Sequence, residues 1–230
     1  MERVVFLDRD GTLNEEVNYL HRKEDMRLLP GVPEAIRMLR EHGYRIVVIT
    51  NQAGVARGYY SEEDVHALHA YMNEILEPQG AKIDAFFYCP HHPEHGIGAY
   101  KKVCHCRKPD TGMFEQAEEV FQVDKAHSWM IGDKLIDVQA GRNYGVRTVL
   151  VGTGYGAEEH AKECAKAGTP GDAKECAKSG APGDVKACEK DETPGSAKGG
   201  NAYDVYAETL MDAARAIVGA GDSGDAGTDR

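Results

Sequence analysis

Through residue 156 the chain alternates short continuous apolar runs with stretches whose apolar residues recur every three or four positions. Val4, Val5, Phe6 and Leu7 form the first run, the pattern of a strand buried on both faces of a parallel sheet. Residues 44–49, 83–88, 128–131 and 147–151 repeat it. Between these runs the period changes. Val32, Ile36 and Leu39 share a helical face, with Pro33 in the first turn and Gly43 as the stop. Ser61 caps a helix through residue 76, with Asp64 three positions on as a capping box and Val65, Leu68, Met72 and Ile75 as its apolar stripe. A third helix opens at Asp110 or Thr111 and carries Phe114, Ala117 and Phe121; a fourth covers 136–143 and closes at Gly145. Residues 14–29 and 53–60 read as loops. Strands alternating with helices predict an α/β fold, a doubly wound, mostly parallel sheet of Rossmann type.

Past Gly156 the pattern breaks. AKECAKAGTPGD, AKECAKSGAPGD and VKACEKDETPGS are successive copies of one unit with almost nothing bulky to bury. The predicted organisation is a core over 1–156 that includes a cysteine-rich loop at 89–106. A repetitive, mobile surface insert follows at 157–200, then a helix at 201–218 and a disordered tail at 219–230. Cys164, Cys176 and Cys188, one per repeat, also allow a soft-metal site or a cross-link between chains. In the returning helix Val205, Leu210, Ala213, Ala214 and Ile217 would face the sheet.

A net charge of −11 argues against a broad nucleic-acid or acidic-membrane surface. No apolar run has membrane-spanning length and no signal-peptide pattern opens the chain, so the expected setting is the cytoplasm, without a membrane partner. In that compartment the six cysteines read as metal ligands or free thiols. Without a strong apolar surface stripe, a monomer is expected.

The chemistry collects where the apolar runs end. Asp8 and Asp10 follow the first run, Thr50 and Asn51 the second, and Asp133 the fourth, while Arg107 and Lys108 precede a helix. Ligands of open α/β sheets bind outside the carboxyl ends of the strands. Two carboxylates so close repel unless a cation lies between them, and magnesium favours such oxygens. Carboxylates, a hydroxyl and fixed cations are what phosphoryl transfer needs. The short gaps between these positions leave no room for a full cap domain, so loops must cover the crevice. Cys89-x-His91 and Cys104-x-Cys106 supply three thiolates and an imidazole, a closed tetrahedral set for structural zinc, with His92 or His95 as alternatives to His91. His105, between two ligands, would face solvent.

Asp8-Arg-Asp10-Gly-Thr12, Thr50, Lys108 and Gly132-Asp133 resemble the four signature motifs of the haloacid dehalogenase superfamily, over residues 1 to about 156. DRDGTLNEEVNYL, TNQAGVARG, CPHHPE, CHCRKP and IGDKLIDVQAG resemble, more closely, the heptose-bisphosphate phosphatases of its histidinol-phosphatase-like subfamily. The phosphatase half of bifunctional histidine-biosynthesis enzymes is similar too.

The resemblance implies a magnesium-dependent phosphatase acting on a small sugar phosphate, the 7-phosphate of a heptose 1,7-bisphosphate, in activated-heptose synthesis. Asp8 would be the nucleophile that forms an aspartyl-phosphate, and Asp10 the acid and then the base. Asp8, the Asp10 carbonyl and Asp133 would hold magnesium. Thr50 and Lys108 would hold the phosphoryl oxygens. Glu16, Val17, Asn18, Tyr19, Asn51, Gln52, Ala53, Arg107 and Lys134 would line the substrate pocket, Arg107 and Lys134 being otherwise solvated charges. The same resemblance favours His91 as the zinc ligand. Asp137 is either a carboxylate supporting Asp133 or an exposed helix residue. The competing activity is histidinol-phosphate hydrolysis; from another class, a phospho-receiver module would also use an acidic strand end, a Thr and a Lys.

Overall fold

The computed structural model describes residues 1–166 and 202–222. Strands β1 (Val4–Leu7), β2 (Arg45–Asn51), β3 (Ala85–Cys89), β4 (Trp129–Gly132), β5 (Arg147–Val151) and β6 (Val205–Ala207) form one sheet in the order β3-β2-β1-β4-β5-β6. All five pairings are parallel. The helices are α1 (Val32–Glu41), α2 (Ala53–Ala56), α3 (Glu62–Leu76), α4 (Gly112–Phe121), α5 (Leu135–Tyr144), α6 (Gly156–Lys166) and α7 (Leu210–Asp222). None is long and apolar enough to cross a membrane.

Side-chain alternation along the strands sorts the core into two layers. Val5 and Leu7 of β1, with Ile46 and Val48 of β2, meet Ile36 and Leu39 of α1, Leu68 and Met72 of α3, and Ala213 and Ile217 of α7. Val4, Phe6, Val47 and Ile49 face the other way, onto Phe114 and Ala117 of α4 and Ala140 and Tyr144 of α5. Each fully buried Phe or Leu contributes about 1.5–3 kcal/mol, which is why the central strands carry no polar position before their ends.

Local signals behave as their chemistry requires. The Asp64 N–H donates to Ser61 Oγ at 3.2 Å and the Ser61 N–H to Asp64 Oδ2 at 2.8 Å, closing the capping box of α3. Leu76 is buried on that helix, whereas Ile75 is only partly so.

Beyond shifts of one or two residues at the ends of β2, β3, β4 and α5, four boundaries differ from the sequence reading. Residues 53–56, predicted as loop, make the single turn α2. The stretch from Tyr203, read as helix, begins with β6, where Val205 and Ala207 are buried; three residues are too few for a period of two to stand out. Helix α6 runs to Lys166, into the first repeat, and the rest of the predicted insert lies outside the described residues. Helix α7 continues to Asp222, past the predicted start of the tail, whose remainder also lies outside them.

Candidate active site

The chain winds outward from β1 in one direction through β2 and β3 and in the other through β4, β5 and β6, so β1 and β4 flank the switch point. Asp8 leaves the end of β1 and Asp133 the end of β4. Both are buried, and with Asp137 they offer oxygens within 4.8 Å of one another. Lys108 enters this acidic cluster from the loop before α4. Its Nζ donates to Asp8 Oδ1 at 2.8 Å and the Ile49 carbonyl at 2.9 Å, and lies 2.7 Å from Asp137 Oδ1. Burial lowers the proton affinity of Lys108, but the two carboxylates more than reverse this, so it stays charged.

Asp137 settles as a buried support for that lysine. One oxygen pairs with Lys108 and the other accepts the Lys134 N–H at 3.1 Å. Asp133 is different. Its Oδ2 accepts the Tyr155 N–H at 3.0 Å, and its Oδ1 is buried with no partner. Burial first, and the Asp8 charge second, push its carboxyl up to about 8. A Cβ on Gly11 or on Gly154 would fall 2.3 Å from Asp133 Oδ2, so both positions must be bare for the carboxylate to sit there. An orphaned oxygen, a facing carboxylate and an oxygen-only donor set fit a hard divalent cation held by Asp8 and Asp133.

A cavity of about 300 Å³ opens over this cluster. Asp8, Asp10, Thr50, Lys108, Asp137 and Lys134 reach it, as do Glu16, Asn18 and Tyr19 from the loop after β1 and Asn51, Gln52 and Ala53 from the end of β2. Arg107 and Val17 do not line it. The Arg107 guanidinium donates to the His91 carbonyl at 3.1 Å, and Val17 faces solvent. Tyr60, Ile136 and Tyr155 line the cavity although the sequence reading passed over them. Lys134 pairs with Glu16 at 3.1 Å and lies over the Tyr155 ring at 4.7 Å. Tyr19 has a φ of 62°, an uncommon conformation for a bulky side chain, and meets Tyr59 edge-on at 4.8 Å.

Two family models match the chain, one described as haloacid dehalogenase-like hydrolase over residues 5–74 and one as HAD-hydrolase-like over 105–173. A D-glycero-beta-D-manno-heptose-1,7-bisphosphate 7-phosphatase from Haemophilus ducreyi is 47% identical over 155 residues, which are 66% of this chain and 85% of the relative. The chain belongs to the haloacid dehalogenase superfamily. It is a phosphatase, by the family models and the similarity to such enzymes together. The alpha-anomer enzyme from Photorhabdus laumondii is 43% identical over 158 residues, covering 68% of this chain and 86% of its own. Among solved structures, D,D-heptose 1,7-bisphosphate phosphatase from B. bronchiseptica, complexed with magnesium and phosphate, superposes with a TM-score of 0.69 at 28% identity, covering 95% of this chain and 99% of that one.

The superfamily core here carries a second cluster. His91 Nδ1 lies 3.8 Å from Cys89 Sγ and 3.6 Å from Cys106 Sγ, and Cys104 completes a set of four mutually close ligand atoms. His92 is turned elsewhere, its Nδ1 accepting the N–H groups of Glu94 and His95. His105 is exposed and pairs with Glu115 at 2.9 Å. The sulfur-rich, closed arrangement fits zinc without an open position. This cluster bears on the crevice through Lys108. The Lys108 N–H donates to Asn51 Oδ1 at 3.1 Å and Asn51 Nδ2 to the Lys108 carbonyl at 3.2 Å, so the end of β2 grips the residue that leaves the cysteine loop.

Proposed function

We propose that this phosphatase hydrolyses the 7-phosphate of D-glycero-D-manno-heptose 1,7-bisphosphate, in the synthesis of nucleotide-activated heptose, through an aspartyl-phosphate. Asp8, Asp10, Thr50 and Lys108 meeting at one cavity, with the Asp133 carboxylate packed beside Asp8 beneath it, support the reading. The names of the relatives, of either anomer, support the substrate.

An Asp8 carboxylate oxygen attacks phosphorus as the bond from phosphorus to the sugar oxygen breaks. Lys108 holds Asp8 Oδ1 and so fixes the rotamer of the nucleophile. The departing oxygen takes a proton from Asp10, and Asp10 then removes one from the water that releases phosphate and restores Asp8. At rest, burial raises Asp10 but Arg9, Asn14 and Gln52 outweigh it, so its carboxyl lies below the usual range. The charge of an arriving phosphate raises its proton affinity and prepares it as acid. Thr50 Oγ would donate to one phosphoryl oxygen, and Lys108 Nζ to another by exchanging one of its three bonds to Asp8, Ile49 and Asp137. Magnesium, held by Asp8, the Asp10 carbonyl and Asp133, would neutralise the transferring group. Zinc at Cys89, His91, Cys104 and Cys106 would be structural.

The test is phosphate release from both anomers of the bisphosphate beside histidinol phosphate, for the parent and for Asp8→Asn. The bisphosphate should have the highest kcat/KM, and the variant should fold but not turn over. Substantial turnover by Asp8→Asn removes the mechanism, and a preference for histidinol phosphate removes the substrate.

A further inference from the structure

Arg9 stands between Asp8 and Asp10 in sequence, yet its side chain is 0% exposed and does not line the cavity. Its Nε donates to Asp10 Oδ1 at 3.1 Å, and its Nη2 reaches Oδ1 at 3.0 Å and Oδ2 at 2.9 Å. The same Nη2 donates to the Leu20 carbonyl at 3.3 Å and to Gln52 Oε1 at 3.2 Å. Nη1 lies 3.5 Å from Nε2 of His69, whose ring stacks on Phe86 and is held neutral by burial. Gln52 Nε2 donates to Asp10 Oδ2 at 3.1 Å and to Thr50 Oγ1 at 2.9 Å, while the Tyr60 hydroxyl fixes Gln52 Oε1 at 2.7 Å. Asn14 Nδ2 adds a bond to Asp10 Oδ1 at 3.0 Å.

Desolvating a guanidinium is expensive, and an apolar side chain of similar volume commonly packs at least as well. Fold stability therefore does not account for a charge here. The fork shape does, because a planar guanidinium fixes a carboxylate in direction as well as distance. We propose that Arg9 is the positioning residue for Asp10, holding its carboxyl in the rotamer from which the leaving oxygen is protonated. Through Leu20 and Gln52 it also ties that rotamer to the mouth loop and to Thr50. The inference rests on the acid role of Asp10.

A sugar alkoxide leaves poorly without a proton, whereas 4-nitrophenolate leaves without one. A displaced acid therefore slows sugar esters selectively. kcat/KM reports events up to release of the leaving group, so the later hydrolysis does not enter. For Arg9→Met, kcat/KM on the heptose bisphosphate should fall about 100-fold, with KM little changed. The fall on 4-nitrophenyl phosphate should stay under about tenfold. Arg9→Lys keeps the charge without the fork and should show the same selectivity to a lesser degree. Equal losses on the two esters in Arg9→Met, or an unimpaired Arg9→Lys, overturn the inference. Should the Met variant not fold, judged by circular dichroism, Arg9→Lys alone decides between the same outcomes. Asp10→Ala is the control. If it too loses equally on both esters, the acid role of Asp10 fails and the inference falls with it. If Asp10→Ala discriminates and the Arg9 variants do not, the inference alone is wrong.

Discussion

Replacing Asp133 by Asn should abolish turnover and yet stabilise the protein in magnesium-free solution. The Asp133 carboxyl is wholly buried, its Oδ1 has no partner, and its titration is moved from 3.8 to about 8. The sign follows from linkage. Between those values the folded state holds a proton that the unfolded chain releases, so stability is fully present below about 4 and is lost as pH rises toward 8. At pH 7 the shift sets an upper bound of about 4 kcal/mol, and relaxation of a real interior reduces this to about 1–3 kcal/mol. Asn keeps the shape, can accept the Tyr155 N–H as Oδ2 does, and turns a donor rather than a bare oxygen toward its neighbours.

The assay is thermal unfolding from pH 5 to 8 without added magnesium; a strong chelator is unsuitable because it would strip a thiolate-bound zinc as well. At about 2–4 °C per kcal/mol for a chain of this size, the variant should melt roughly 3–10 °C above the parent at pH 8 and close to it at pH 5. Adding magnesium should raise the parent and leave the variant unmoved. A variant no more stable than the parent at pH 8, or a gap that does not widen with pH, refutes the account of Asp133 as a carboxylate awaiting a cation.

Lys108→Met leaves Asp8 and Asp137 facing each other without their shared cation, and should cost about 3–5 kcal/mol in chemical denaturation and at least about 100-fold in kcat. Gly154→Ala drives a Cβ into the Asp133 carboxylate at a backbone φ of 56°, and should weaken the magnesium requirement curve by about 10–100-fold, read from activity against metal concentration. Cys106→Ser should release zinc, measured by atomic absorption, and lower the melting temperature, because the loop of residues 89–106 has little apolar material to fold around.

The parts of the site that the sequence made legible are those whose position follows from topology. Once 4–7 and 128–131 read as buried parallel strands, Asp8 and Asp133 had to meet at one edge, and CxH with CxC had to close on itself. What stayed hidden depended on rotamers and on loop contacts. Asp137 was ambiguous because one turn past Asp133 lies either toward Lys108 or toward water, and only the side-chain direction decides. Arg107 looked like a substrate contact, but its nearest acceptor is the His91 carbonyl inside the cysteine loop. Arg9 gave almost no signal, since an arginine beside two aspartates reads as a surface charge. Strand β6 was lost because its three residues open a stretch whose later residues are helical.

The carboxylate cluster and the sulfur cluster answer one problem of the fold. Asp8, Asp133 and Asp137 crowd a buried switch point, and Lys108 neutralises only part of that charge. The lysine comes from a long loop, the kind of segment whose ends are ordinarily the least fixed in a domain. Here its backbone is gripped twice by Asn51, and the four residues before it hold Cys104 and Cys106 beside Cys89 and His91. The sulfur cluster thus fixes where the ammonium enters the acidic cluster, and the ammonium in turn fixes the Asp8 carboxylate. Position is transmitted from the sulfur cluster to the carboxylate cluster, where Asp133 Oδ1 has no hydrogen-bond partner. The chemistry can therefore sit at a place of low intrinsic stability, because its charged groups are held from the sheet on one side and from the sulfur cluster on the other.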